Sequence, residues 1–304
     1  AASGKDKVAI CGYHGWHDWY LAANLGDEKN LAGHLLLGLE PKGVPESLKE
    51  TVYPFNYNNY EELETLVNTQ DIGVIKMEVS RNQGPDKGYL EKVRSLATER
   101  NIVLIFDECT SGFRQSFGGL HLIYGVEPDI AIFGKALGNG YAITATIGRR
   151  EIMEAAQTSF ISSTFWTERI GPTAALKTLE IMERDKSWET ITDIGGQVAK
   201  RWKSLADDFG LSLTTNGLPA ISSFGFDSPN ALEYKTLITQ EMLKKGYLAS
   251  NVFFASTQHS TDILDGYFDT LNLVFDLIRQ CEDGLDVKSL LDGPVCHAGF
   301  KRLN

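Results

Sequence analysis

Val103-Leu104-Ile105-Phe106-Asp107-Glu108 is a short apolar run that ends on two acids, and a second run, Ile132-Phe133, leads into Gly134-Lys135-Ala136-Leu137-Gly138-Asn139-Gly140-Tyr141. Short apolar runs bounded by turn signals read as buried strands. Working outward, Val8 to Cys11 and Val74 to Val79 read as strands, while Glu61 to Val67 and Tyr89 to Glu99 read as amphipathic helices. Asp129 to Phe133 and Ile143 to Ile147 add two further strands. The order βαβ predicts an α/β fold with a mainly parallel sheet covered by helices.

A long helix through Pro172-Thr173-Ala174-Ala175-Leu176 ends near Glu183-Arg184-Asp185-Lys186, and the pattern changes there. Beyond it come a helix (Thr190 to Asp207), strands (Leu211 to Thr214 and Ala220 to Phe226) and two more helices (Leu232 to Lys245, Asp262 to Arg279). The reading is a large domain, residues 1–185, followed by a smaller C-terminal α+β domain, residues 186–304.

Composition narrows the class. The 304 residues suffice for two cores, and 42% hydrophobic content is ordinary for a globular chain. Twenty-nine Lys and Arg against 40 Asp and Glu give a net charge of −11, which argues against nucleic acid and anionic membranes as partners. Cys11, Cys109, Cys281 and Cys296 form no C-x-x-C unit. They suit a reducing, cytoplasmic setting, with neither a disulfide framework nor a zinc knuckle. The opening residues Ala1 to Lys7 lack the apolar region of a signal peptide, and no apolar run reaches the ~20 residues of a membrane helix.

An acid at the carboxyl end of a sheet strand stands where ligands of open α/β sheets collect. A lysine after a neighbouring strand adds an amine. Together Asp107 and Lys135 supply what pyridoxal phosphate (PLP) needs: a Schiff-base partner, and a carboxylate that keeps the pyridine nitrogen protonated so that the ring draws in electrons. Other motifs are weaker. His14-x-x-His17-Asp18 has no identifiable third metal ligand, so no metal is expected, and His17 reads as a capping or packing residue. Trp16 and Trp19 read as core or interface, and Leu35-Leu36-Leu37 as a buried cluster. Gly138-Asn139-Gly140 is followed by Ile143 where a dinucleotide fingerprint requires Gly or Ala, no Walker lysine pair exists, and Ser111-Gly112 lacks a nucleophile elbow.

Tyr13-His14-Gly15, Phe106-Asp107-Glu108 with Gly112-Phe113-Arg114, Gly134-Lys135-Ala136-Leu137-Gly138 and Ser163-Thr164-Phe165 occur in an order that resembles the class III PLP aminotransferases of fold type I. The likeness is greatest to the branch of glutamate-1-semialdehyde 2,1-aminomutase and its relatives. It extends over nearly the whole chain, through Pro54 to Asn58, Gly217-Leu218-Pro219 and Ser256-Thr257-Gln258-His259.

The resemblance implies amino-group transfer on a small-molecule amino or keto substrate. It makes Lys135 the cofactor-bearing, proton-moving lysine and Asp107 the partner of the pyridinium nitrogen. It makes Tyr13 the ring-stacking aromatic, with His14 beside it in the cofactor site, and Thr164 a contact to the phosphate of the neighbouring subunit's cofactor. Glu78 is the acid at the end of a strand near the site. The implied assembly is a homodimer with shared active sites.

Three positions depart from the family pattern: Cys109 stands for a frequent Val under the ring, Val79 for a Pro, and Gly134 for a Ser before the lysine. A Ser-Gly-Ser/Thr-Glu-Ala phosphate cradle, which the family carries in a longer N-terminal part, is absent from these residues. The expectation is a fragment or the remainder of a longer product. The alternative is a non-catalytic family member that only dimerises.

Overall fold

The computed structural model describes residues 1–15, 17–34, 38–80 and 82–298, so Trp16 and the Leu35-Leu36-Leu37 cluster lie outside the described residues. The chain divides into two units, Ala1–Asp185 and Lys186–Ala298.

In the first unit the apolar runs form a six-stranded sheet. Its strands are β1 (Lys7–Cys11), β2 (Val52–Pro54), β3 (Ile72–Glu78), β4 (Val103–Asp107), β5 (Ile130–Phe133) and β6 (Ala145–Gly148). Their spatial order is β2-β1-β3-β4-β5-β6. The first five run parallel, and β6 closes the edge antiparallel to β5. Register sets Glu78 beside Asp107, and Asp107 beside Ile132. Three strand ends therefore finish together, and their side chains share one rim.

Helices α1 (Asp18–Leu21), α2 (Tyr60–Thr69), α3 (Tyr89–Glu99), α4 (His121–Tyr124), α5 (Arg150–Met153) and α6 (Ile170–Asp185) complete the unit. His17 caps α1 by accepting the Tyr20 N–H on its ring, and the Asn59 side chain caps α2 by accepting the Glu62 N–H. The periodicity of α3 buries Leu90, Val93, Leu96 and Ala97 on one side, and the helix packs on β4. Ile75, Met77, Leu104 and Phe106 are fully buried in the sheet. Truncating Phe106 to Ala removes a large part of that core, at about 3–5 kcal/mol.

The second unit folds α7 (Ser187–Asp208), α8 (Ala231–Lys244) and α9 (Thr261–Glu282) with a three-stranded antiparallel sheet of β7 (Leu213–Asn216), β8 (Ile221–Phe226) and β9 (Val252–Phe254). Its core centres on Trp202, Phe224, Tyr234 and Phe275, and the Trp202 indole N–H donates to Tyr267 Oη at 2.9 Å. Gly195 of α7 passes so close to the chain at Pro219 that a Cβ there would lie 1.8 Å from the Pro219 carbonyl oxygen.

The structure corrects the sequence reading at several elements. The strand expected at Ile143 to Ile147 is Ala145–Gly148, and it runs antiparallel. Its connection from β5 holds only a 3-10 turn, Lys135–Leu137, rather than the helix of a parallel crossover. Strands β2 and β9 escaped the reading because each has three residues, too few for a period-two signal. Pro54, which cannot donate to a ladder, is tolerated because β2 is an edge strand.

Candidate active site

Period-two alternation decides which side chains meet at the rim. Along β3 Lys76 and Glu78 share one face, and pairing with β4 brings that face to Ile105 and Asp107. Asp107 is buried, its side chain 11% exposed, and both carboxylate oxygens are engaged. Oδ2 lies 2.9 Å from His14 Nδ1 and 3.3 Å from Lys76 Nζ, and Oδ1 accepts the Cys109 N–H at 3.2 Å. Burial pushes the Asp107 carboxyl up, but the His14 hydrogen bond, the Lys76 charge and the Cys109 N–H outweigh it and hold its pKa below the usual carboxylate value. Burial lowers the pKa of His14 further than its bonds to Asp107 and to the Cys11 carbonyl raise it, and the ring is fixed at both nitrogens, Nδ1 at Asp107 and Nε2 3.2 Å from the Cys11 carbonyl oxygen.

The adjacent acid faces another way. Glu108 is buried and accepts the His121 backbone N–H at 2.9 Å, with the His121 ring 2.8 Å from the same oxygen and Ser111 Oγ donating to the other. It anchors the loop that follows β4. One acid of the pair thus builds the loop and the other faces the rim.

Lys135 lies at the start of the turn after β5 with φ 43°, a left-handed conformation that costs a non-glycine residue about 1 kcal/mol or more. Its side chain is exposed, and Nζ donates to Thr110 Oγ1 at 2.6 Å. Thr110 and Cys109 follow β4 directly, so the loops after β4 and β5 meet here. Burial raises the pKa of the Cys109 thiol, whose field includes the charges of Lys135, Asp107, Lys76 and Glu78. Two of the three departures noted in the sequence, Cys109 and Gly134, are neighbours: a Cβ on Gly134 would stand 2.8 Å from Cys109 Sγ.

Glu78 is buried, and its Oε2 accepts the Tyr13 backbone N–H at 3.2 Å. The approach requires glycine at position 12, where φ is 113° and a Cβ would lie 2.3 Å from Oε2. Tyr13 itself is half-buried and meets Tyr20 edge to face at 6.1 Å. Of the residues singled out in the sequence, His14, Asp107, Cys109 and Lys135 thus gather at the rim, and Tyr13 and Glu78 join through the loop after β1. Thr164 lies in an exposed turn, and no described hydrogen bond or ion pair connects it to this cluster. The sequence reading passed over Lys76 and Thr110. A lysine among the apolar residues of a central strand was the available signal for the first, and nothing marked the second.

A parallel sheet with a buried, ionised carboxylate at one strand end and a lysine in the next loop defines an α/β protein of PLP-transferase fold type I. The chain belongs to the class III aminotransferase family, and residues 59–252 match the model described as "Aminotransferase class-III". It is 35% identical over 266 residues to the 3-aminobutyryl-CoA aminotransferase of Cloacimonas acidaminovorans, covering 84% of this chain and 60% of that protein. It is 31% identical over 284 residues to the glutamate-1-semialdehyde 2,1-aminomutase of Methanothrix thermoacetophila, covering 88% of this chain and 64% of the relative. The fold matches that of the Sphingopyxis sp. MTA144 FumI protein, solved in its PLP internal aldimine form, with a TM-score of 0.80 at 20% identity over 95% of this chain and 69% of that one. The chain therefore spans less than two thirds of the length of these two sequence relatives.

Proposed function

We propose that this protein, over its full length, carries out PLP-dependent amino-group transfer on a small-molecule amino or keto substrate, with Lys135 as the catalytic residue. The observation that carries the reading is the buried Asp107 at the end of β4, held by His14, Lys76 and the Cys109 N–H, beside a loop whose lysine is held in a left-handed conformation. The residues present fit the cofactor. A carboxylate kept charged inside the protein is what a protonated ring nitrogen requires, and an exposed amine on the adjacent loop is what its aldehyde requires.

Bound PLP supplies an electron sink that stabilises negative charge on the substrate carbon next to nitrogen. Asp107 would meet the ring nitrogen, His14 would hold Asp107 in place, Tyr13 would cover one ring face, and Cys109 would pack beneath the other. Lys135 Nζ would remove the proton from the substrate carbon and return it elsewhere, and Thr110 Oγ1 would steady that nitrogen between transfers. Glu78 would fix the loop that carries Tyr13.

A homodimer with shared sites is part of the proposal. Phe160 is 99% exposed, and Phe165, Trp166 and Ile170 follow it as exposed apolar side chains around Thr164. Such a run suits a surface covered by a second copy, in which Thr164 would reach the neighbouring cofactor phosphate. The domains would be residues 1–185 and 186–304, and a cytoplasmic location agrees with free cysteines at 11, 109, 281 and 296.

The test is amino transfer by the full-length protein across a panel of amino donors and keto acceptors. Lys135→Ala should lower turnover by roughly 10²–10⁴-fold. Activity that survives the substitution unchanged would remove Lys135 from the chemistry and favour the non-catalytic reading. A reaction that proceeds with no second donor or acceptor would identify an aminomutase.

A further inference from the structure

Lys76 is a cation in mid-strand, between the fully buried Ile75 and Met77. Its side chain is 14% exposed, with Nζ 3.3 Å from Asp107 Oδ2 and 5.8 Å from the centre of the Trp19 ring. The Lys76 ammonium thus meets the one carboxylate assigned above to the cofactor ring. Lysine is seldom buried unless paired, and here the partner is a functional acid.

We infer that Lys76 is a positioning residue that shares Asp107 with the ring nitrogen of the cofactor and thereby sets how firmly that nitrogen holds its proton. The inference rests on the reading that Asp107 meets that nitrogen. Asp107 is faced by His14 from the loop after β1, by Lys76 and its register neighbour Glu78 from β3, and by the Cys109 N–H from its own loop, while the charge of Lys135, from the loop after β5, acts on the Cys109 thiol. His14, held between Asp107 Oδ2 and the Cys11 carbonyl oxygen, orients the carboxylate. Lys76, in ion-pair contact with Asp107 at 3.3 Å, cancels part of the carboxylate's charge. A protonated ring nitrogen brought to Asp107 therefore sits near a like charge, and its proton is held less tightly than beside an unshared carboxylate. The residue tempers the electron sink.

Two measurements test this. In the first, Asp107 of the cofactor-free chain is titrated by carbon-13 NMR of labelled carboxyl groups. Lys76→Met, and Lys76→Gln as a second neutral variant that keeps a polar head, should raise its pKa by about one unit, tenfold in proton affinity, while Lys76→Arg should leave it near the wild-type value. An unchanged Asp107 pKa in both neutral variants overturns the inference. In the second, the full-length protein is loaded with nitrogen-15-labelled PLP and the ring nitrogen is titrated directly. The neutral variants should hold the ring proton to a pH about one unit higher, again tenfold, with Lys76→Arg close to wild type. A ring nitrogen that responds to Asp107→Asn but not to either neutral variant overturns the role of Lys76 alone. A ring nitrogen indifferent to Asp107→Asn overturns the cofactor reading, and this inference with it.

Discussion

Gly134→Ala would set a methyl group 2.8 Å from Cys109 Sγ, 3.4 Å from Thr144 Cγ2 and 3.8 Å from the Ile143 carbonyl oxygen. Only the sulfur contact is closer than packed atoms allow. Overpacking of this kind costs about 1–3 kcal/mol. Sγ sits one bond beyond Cβ and swings on a single torsion, so the lower half of that range is expected. The backbone at Gly134 is extended and accepts an alanine, and stiffening the unfolded chain returns about 0.4–1 kcal/mol. The net loss is then about 0–1.6 kcal/mol.

Removing the sulfur with Cys109→Ala leaves only the favourable part, so Gly134→Ala should be neutral or stabilising in that background. The two substitutions should couple by about 1–2 kcal/mol in a double-mutant cycle, read as about 2–4 °C in Tm per kcal/mol. A Gly134→Ala penalty of the same size with and without the Cys109 sulfur would refute the claim that these two positions are matched to each other.

Gly195→Ala should damage the second unit more severely, because its Cβ would meet backbone at 1.8 Å rather than a side chain that can swing. A loss of about 3 kcal/mol or more is expected by denaturant titration, and a loss under about 1 kcal/mol would contradict the close approach of α7 to Pro219. Acid stability should also change at Asp107, whose folded pKa is depressed. Its contribution is complete above the unfolded carboxylate value of about 3.9 and is lost as pH falls through the lower folded value. The Tm gap between wild type and Asp107→Asn should therefore be widest above that range and narrow on acidification, and a constant gap would show that the charge of Asp107 contributes nothing.

The strands that carry the chemistry were legible because β3, β4 and β5 are buried apolar runs, and a run such as Val103 to Phe106 has few other uses. Asp107 and Lys135 could be paired for the same reason, since each ends such a run. Elements defined by partners were hidden. The three residues of β2 become a strand only because β1 offers them an edge, and β6 turns antiparallel because no helix separates it from β5. Lys76 was hidden for a related reason. Its role depends on the register between β3 and β4, which brings a residue distant in sequence to within an ion pair of Asp107. The division of labour between Asp107 and Glu108 likewise needs His121 and Ser111 in place before it can be read.

The central claim is that Lys135 is the residue that holds the cofactor, and borohydride reduction of the full-length protein after addition of PLP tests it most directly. Peptide mapping by mass spectrometry should find one pyridoxyl adduct, on Lys135, and a yellow absorbance band that Lys135→Ala abolishes. An adduct on another lysine such as Lys76, or no adduct with the protein folded and saturated with PLP, would contradict the account.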